Sequence, residues 1–229
     1  MTTSGTYAFA PSLGELGLYA FGLCEIRGPE LTQAHMESLR MAANLMQARW
    51  SSQGVNLWKV DLVTVPLVQG TATYAVDAST ITILDAYITV TSGGVSTNRY
   101  ILPISRTEYA SYPNPTQQGF PSTYWFDRLI SPTITLYQVP DGSETSLSYY
   151  RLRQIQDATL AGGATPEIQF YFLEAYAFGL AHRLSMIWKP EKTAMLKAEF
   201  NEAYEIAAGQ NVEASAIYIS PMLSGYYRP

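Results

Sequence analysis

The sequence predicts an α+β protein in which a discontinuous helical bundle carries an inserted β domain and a C-terminal extended arm. Three observations predict this: an apolar period of three to four residues at both ends of the chain, a change to alternation in the middle, and turn residues that divide the middle into seven short segments. The β domain is expected to be an antiparallel sandwich or a barrel-like sheet. The predicted boundaries are 1–56 and 156–209 for the two parts of the helical domain, 57–155 for the β domain and 210–229 for the arm.

Two helices are predicted at the front of the chain. Ser12 and Glu15 form a capping box, in which each side chain satisfies a backbone amide at the helix start. Apolar residues then recur at three-to-four spacing until Gly28, which can end the helix in a left-handed turn. The second helix is predicted to begin after Thr32, to carry one apolar stripe over four turns and to end at Gly54.

Seven strands are predicted in the middle of the chain. Ser92-Gly93-Gly94 predicts a hairpin turn between the third and fourth strands. Ser105, followed three residues later by Glu108, predicts a short helical turn after the fourth. The predicted strands cover residues 55–65, 74–76, 81–91, 95–104, 124–129, 133–139 and 146–153.

Two more helices are predicted at the back of the chain. Thr165-Pro166-Glu167 supplies an N-cap, a proline at the first helical position and an early carboxylate, so a long helix is expected from there to about Lys189. Its apolar residues lie on nearly all faces, which predicts burial in a bundle or in an assembly. The last helix is expected to begin at Pro190 and to stop at Gly209.

The last twenty residues lack a helical period and are rich in apolar and aromatic side chains, with Glu213 and Arg228 as their only charged side chains. This composition is typical of interface cores, so we interpret the segment as an arm that docks on another protein. The alternative is that it folds back as an extra strand on its own domain. The candidate docking residues are Ile217, Tyr218, Ile219, Met222, Tyr226, Tyr227 and Arg228.

The composition argues against several classes of function. Lys and Arg number 14 against 19 Asp and Glu, which gives a net charge of −5, and such a chain is a poor candidate for gripping DNA phosphates. The single cysteine, Cys24, allows neither an intramolecular disulfide nor a cysteine-based metal site. No glycine-rich nucleotide loop and no hydrolase serine motif occurs. We therefore expect no enzyme and assign no catalytic residue, metal or cofactor, and we expect neither a secretory signal nor a membrane partner.

One group of residues leaves an alternative function open. Trp125 and Tyr124 could stack on a sugar, and Asp127 with Asp141 or Glu144 could supply the two carboxylates of glycoside hydrolysis. The alternative is therefore a protein that binds or cleaves glycans through its β domain. A monomeric binding module with a β-sandwich face is a third hypothesis.

Four residues are candidates for contacts between subunits. Arg151 and Arg153 alternate on one strand, where they could reach a phosphate, pair with acids of a neighbouring element or pair across a subunit boundary. His182 and Arg183 are adjacent in the long apolar helix, where a core or interface role is favoured over a catalytic base.

Four stretches share their order and spacing with one known family. They are the second helix with its exit turn from Leu31 to Trp58, a Gly-x-Pro followed by an aromatic strand from Gly119 to Arg128, a strand with a Pro-Asp turn from Ile134 to Asp141, and the long helix from Ile168 to Arg183. With these stretches the chain resembles the head-to-tail adaptor proteins of short-tailed bacteriophages, also called tail accessory or tail tubular proteins.

The resemblance implies a structural connector in the virion tail, made in the host cytoplasm and without activity on a substrate. It implies a homo-oligomeric ring, typically of twelve copies, beneath the portal, with a channel through which genomic DNA passes without specific binding during ejection. The C-terminal arm would grip the portal protein. The distal surface would receive nozzle, needle or fibre proteins.

Overall fold

The computed structural model describes residues 3–54 and 57–212. Within these ranges the chain has a mixed fold of five α-helices and seven strands, with most of the helices near the two ends of the sequence. The helices are α1 (Leu13–Leu23), α2 (Gln33–Ser52), α3 (Arg106–Ser111), α4 (Leu173–Trp188) and α5 (Thr193–Gln210). The strands are β1 (Val60–Pro66), β2 (Thr73–Ala75), β3 (Thr80–Ser92), β4 (Val95–Pro103), β5 (Thr123–Asp127), β6 (Thr133–Tyr137) and β7 (Ser146–Arg153).

The start of α1 confirms the predicted capping box. The backbone amide of Glu15 donates to Oγ of Ser12 over 3.2 Å, and the amide of Ser12 donates to the Glu15 carboxylate over 2.8 Å. The helix ends at Leu23, earlier than its apolar pattern predicts, because Glu25 adopts a positive φ of 60° and turns the chain. Cys24 is fully buried, and burial raises the pKa of its thiol to about 11, so it behaves as a small core side chain.

The predicted start of the long helix at Thr165-Pro166-Glu167 is wrong. Helix α4 begins at Leu173, and Gln169 before it is still extended. The carboxylate of Glu167 does not serve a helix N-terminus; it accepts hydrogen bonds from Arg153 and from the amide of Gln156. This ion pair ties the segment before α4 to the end of β7.

Burial of α4 on all faces is not observed in the single chain. Its inner face is buried, from Ala175 through Tyr176 and Leu180 to Leu184, but Met186 and Ile187 are each more than half exposed. The last helix, α5, buries one stripe of its surface: Leu196 and Ala207 are buried, and Phe200 packs against the same core.

The strands form one curled, mixed sheet in the order β1-β7-β3-β4-β5-β6-β2. The expected antiparallel sandwich or barrel is therefore matched only in part, since β4 and β5 pair in parallel through Leu102 and Thr123. Parallel neighbours need a crossover connection, and here α3 with its following loop supplies it. The predicted hairpin between β3 and β4 is confirmed, with positive φ at Gly93 and Gly94, the two turn residues.

Two separate hydrophobic clusters are buried. One lies among α1, α2, α4 and α5, with Trp50 near its centre, and the other lies on the curled sheet around Ile88, Leu136 and Tyr149. The helices approach closely at Gly179, where an added Cβ would lie within 3.0 Å of the Phe200 ring. The domain boundaries predicted from the sequence stay predictions.

Candidate interaction surfaces

Arg151 and Arg153 lie in an ionic network at the edge of the sheet. The register pairs Asp61 of β1 with Arg151 of β7, and the carboxylate accepts Nε and Nη2 of the arginine at 2.8 and 3.2 Å. Arg151 also lies 3.3 Å from a carboxylate oxygen of Asp77. Arg153 donates Nη1 to Glu167 over 2.9 Å, and its Nη2 forms a second short hydrogen bond to the same carboxylate.

This network keeps the two arginines charged and engaged within their own chain. The hydrogen bond from Arg153 lowers the pKa of Glu167, and the hydrogen bond to Asp61 raises the pKa of Arg151. Of the three roles open to these arginines, pairing with acids of neighbouring elements is the one observed in the single chain. Their assignment to a subunit boundary stays a prediction.

Lys59 lies fully buried beside this network. Its Nζ has no hydrogen-bond partner among the described residues. The pKa of Lys59 is lowered to about 8, mainly by burial and also by the positive charge of Arg153, while the carboxylate of Glu167 opposes the shift. The alternating sequence pattern around it does not distinguish this residue from its neighbours.

His182 and Arg183 lie near other basic side chains on the helices. Burial lowers the pKa of Arg183, and the charge of Arg49 lowers it further. The pKa of His182 is lowered by burial first and then by Lys197, Arg183 and Arg49. Within residues 3–54 and 57–212, no carboxylate forms an ion pair with Arg49, Arg183 or Lys197.

We call this surface the basic face and define it by Arg49, Arg183 and Lys197 with two apolar neighbours, Met41 and Leu45. Met41, Leu45 and Arg49 recur at every fourth position of α2 and therefore share one side of that helix. Both apolar side chains are more than half exposed. The basic face thus combines charges that lack counter-ions with apolar area in contact with solvent.

A second surface of opposite charge lies on α5. Met195, Glu199, Glu202 and Ile206 recur at steps of four, three and four, so they form one stripe, which we call the acidic face. Met195 and Ile206 are each more than half exposed. Neither glutamate has an ion-pair partner in the described part of the chain.

The carboxylates proposed for glycan chemistry do not meet. In the β5–β6 hairpin Asp127 is opposite Thr133, at one end, whereas Asp141 follows the other end, where Thr123 is opposite Tyr137. Asp127 and Asp141 are therefore separated by at least four strand residues along the hairpin, or about 13 Å. This distance exceeds the separation of the two carboxylates in a glycosidase. The third acid of the group, Glu144, is buried in the turn and accepts the amide of Gly142 over 3.2 Å.

Three other expectations concern a metal site, a membrane partner and the docking arm. No group of three or more metal-ligating side chains occurs among the described residues, and none of their helices is long and apolar enough to cross a membrane.

The predicted docking arm lies outside the described residues, apart from 210–212. Its candidates are therefore untested: Ile217, Tyr218, Ile219, Met222, Tyr226, Tyr227 and Arg228.

Exposed apolar side chains beside uncompensated charges are typical of surfaces that contact other proteins. The model of the SU10 adaptor protein family matches residues 24–222, and the chain belongs to this family. It is thus a phage adaptor protein, as the family resemblance in the sequence implies. No curated protein matches the chain significantly.

Proposed function

We propose that the chain is a head-to-tail adaptor that assembles as a ring of about twelve copies beneath the portal of a short-tailed bacteriophage. The observation that carries the proposal is the family match over residues 24–222, which includes every described strand and all helices except α1. In this role the protein is a structural component of the virion tail. The ring continues the DNA channel and receives nozzle, needle or fibre proteins at its distal surface.

The charge of the chain supports a conduit role. A channel through which DNA must slide works best without a phosphate trap, and a net charge of −5 leaves little long-range attraction for DNA. Genomic DNA therefore passes the ring without specific binding. The exposed apolar side chains of α2, α4 and α5 support large contacts with neighbouring copies.

The C-terminal arm is assigned to the portal. Deleting residues 213–229 should abolish attachment to purified portal protein, because the segment carries an apolar and aromatic composition suited to an interface core. The deletion begins after α5 and leaves every described element in place. Co-sedimentation of the full and shortened chains with portal particles measures the attachment.

A matched pair of variants separates the arm's apolar contacts from its mere length. Ile217→Ser with Tyr218→Ser should weaken attachment strongly, whereas Ser215→Ala with Ser220→Ala should leave it unchanged. Full attachment of the shortened chain would refute the assignment of the arm. Loss of the folded far-ultraviolet spectrum on shortening would instead point to the alternative, an arm that completes its own domain.

A further inference from the structure

The basic face carries an unusual local charge arrangement. Arg183 is half-buried on α4, which packs against both α2, the helix of Arg49, and α5, the helix of Lys197. The ring of its neighbour His182 lies parallel to that of Phe200 on α5, with 6.4 Å between the ring centroids. The charge of Arg49 is also close enough to lower the pKa of the Arg183 guanidinium. A partly buried guanidinium beside other positive charges normally has a carboxylate partner nearby, because like charges repel each other. Here the described residues provide none, although Arg151 and Arg153 show that this chain does pair arginines with acids where it can.

The acidic face has the opposite charge to the basic face, but the two lie on different sides of the same molecule. Lys197 and Glu202 are five residues apart on α5, which places them about 140° apart around the helix. One chain therefore cannot bring its own two faces together. A second copy can, by presenting its acidic face to the basic face of the first.

We propose that the acidic face of one copy docks on the basic face of the next, with Glu199 and Glu202 supplying the carboxylates that Arg49, Arg183 and Lys197 lack. The exposed apolar side chains flank both sets of charges, with Met41 and Leu45 on one face and Met195 and Ile206 on the other. Two different faces of one chain make a heterologous contact, which closes into a ring when the rotation permits. This inference rests on the proposed adaptor function and names the surfaces that build its ring.

Other occupants fit the basic face less well. The undescribed segment 213–229 contains one acidic side chain, Glu213, against the three positive side chains of the face. DNA phosphates would match the charge, but a fixed phosphate site would hold the genome in a channel that has to release it. The acidic face offers two carboxylates at helical spacing together with exposed apolar side chains. It therefore complements the positive charges of the basic face and can also cover its apolar side chains.

The test is a charge swap, read as the number of copies bound per portal in a co-assembly measured by mass photometry. Arg49→Glu with Lys197→Glu should lower this number about tenfold, and Glu199→Lys with Glu202→Lys should do the same, because like charges then face each other. All four changes in one chain should restore the native number. The four positions are exposed, so the fold is kept, which thermal unfolding of each variant checks.

A matched control reverses two exposed charges elsewhere. Arg106→Glu with Glu108→Lys on α3 should leave the copy number unchanged. Failure of the native chain to collect on the portal would refute the proposed function and this inference with it. If both two-residue swaps keep the native copy number, or if the four-residue swap does not restore it, the proposed contact between the two faces is overturned while the adaptor function stands. Binding of linear duplex DNA is measured with the same variants. If Arg49→Glu with Lys197→Glu loses this binding and Glu199→Lys with Glu202→Lys retains it, the basic face is a phosphate site and the proposed pairing of the two faces is overturned.

Discussion

Replacing Lys59 with methionine should raise the free energy of unfolding at pH 7 by up to about 3 kcal/mol, because the charged ammonium is fully buried without a hydrogen-bond partner among the described residues. Its folded pKa of about 8 is lower than the ordinary value of 10.5, so below pH 8 the native state has the full cost of the buried charge. Between pH 8 and 10.5 the folded lysine releases its proton before the unfolded one does, and this cost disappears.

The advantage of Lys59→Met over the native chain should therefore shrink as the pH rises from 8 to 10.5. Urea unfolding of both proteins at several pH values across that range measures it. Taking the difference between the two proteins removes the contribution of other groups, such as the buried thiol of Cys24, whose raised pKa of about 11 acts in the same range. Lys197→Met is the matched control, because Lys197 is exposed. A constant difference between the native chain and Lys59→Met at all pH values would contradict the buried charge.

Replacing Trp50 with alanine should lower the free energy of unfolding by about 4 kcal/mol, the usual cost of removing a large aromatic side chain from a core. The indole is only 2% exposed. Its ring centroid lies 5.5 Å from that of Phe172 and 5.7 Å from those of Tyr176 and Tyr204. One side chain thus joins α2 to α4, to the turn before α4 and to α5.

Thermal and urea unfolding of Trp50→Ala measure this loss, with Trp50→Phe as the conservative control. Phenylalanine keeps an aromatic ring in the cluster and should cost less than half as much. The alanine variant should also collect poorly on the portal, since the helices that carry the basic and acidic faces are held by this cluster. A loss below about 1 kcal/mol would show that the aromatic cluster does not hold the helices together.

Local patterns in the sequence predict most of the elements of the fold. The capping box at Ser12, the stripe of α2 and the hairpin turn at Gly93-Gly94 depend on residues within a few positions of each other, and the structure has these elements where they are predicted. The start of α4 could not be predicted in this way. Glu167 looks like a helix-start carboxylate, but its partner Arg153 lies on another element, and pairing over that distance follows from the sheet and not from local spacing.

The same distinction applies to the candidate surfaces. His182 and Arg183 stand out in the sequence because they are polar residues in an apolar helix. The lack of a carboxylate partner for Arg183 cannot be predicted in this way, because it depends on which side chains α2 and α5 place beside it. Arg49 has a usable signal, because Met41 and Leu45 precede it at four-residue steps on the outer side of α2. No sequence signal predicts the burial of Lys59, since the alternating pattern around it fits a half-exposed strand as well as a buried one.

In the proposed assembly, many copies of this chain surround one axis beneath a portal. Electron cryomicroscopy of the chain assembled on its portal protein would image this arrangement. We expect a closed ring coaxial with the portal, with α5 of each copy seated against α2 and α4 of the next. A single copy bound to the portal, or copies that do not touch each other, would contradict it.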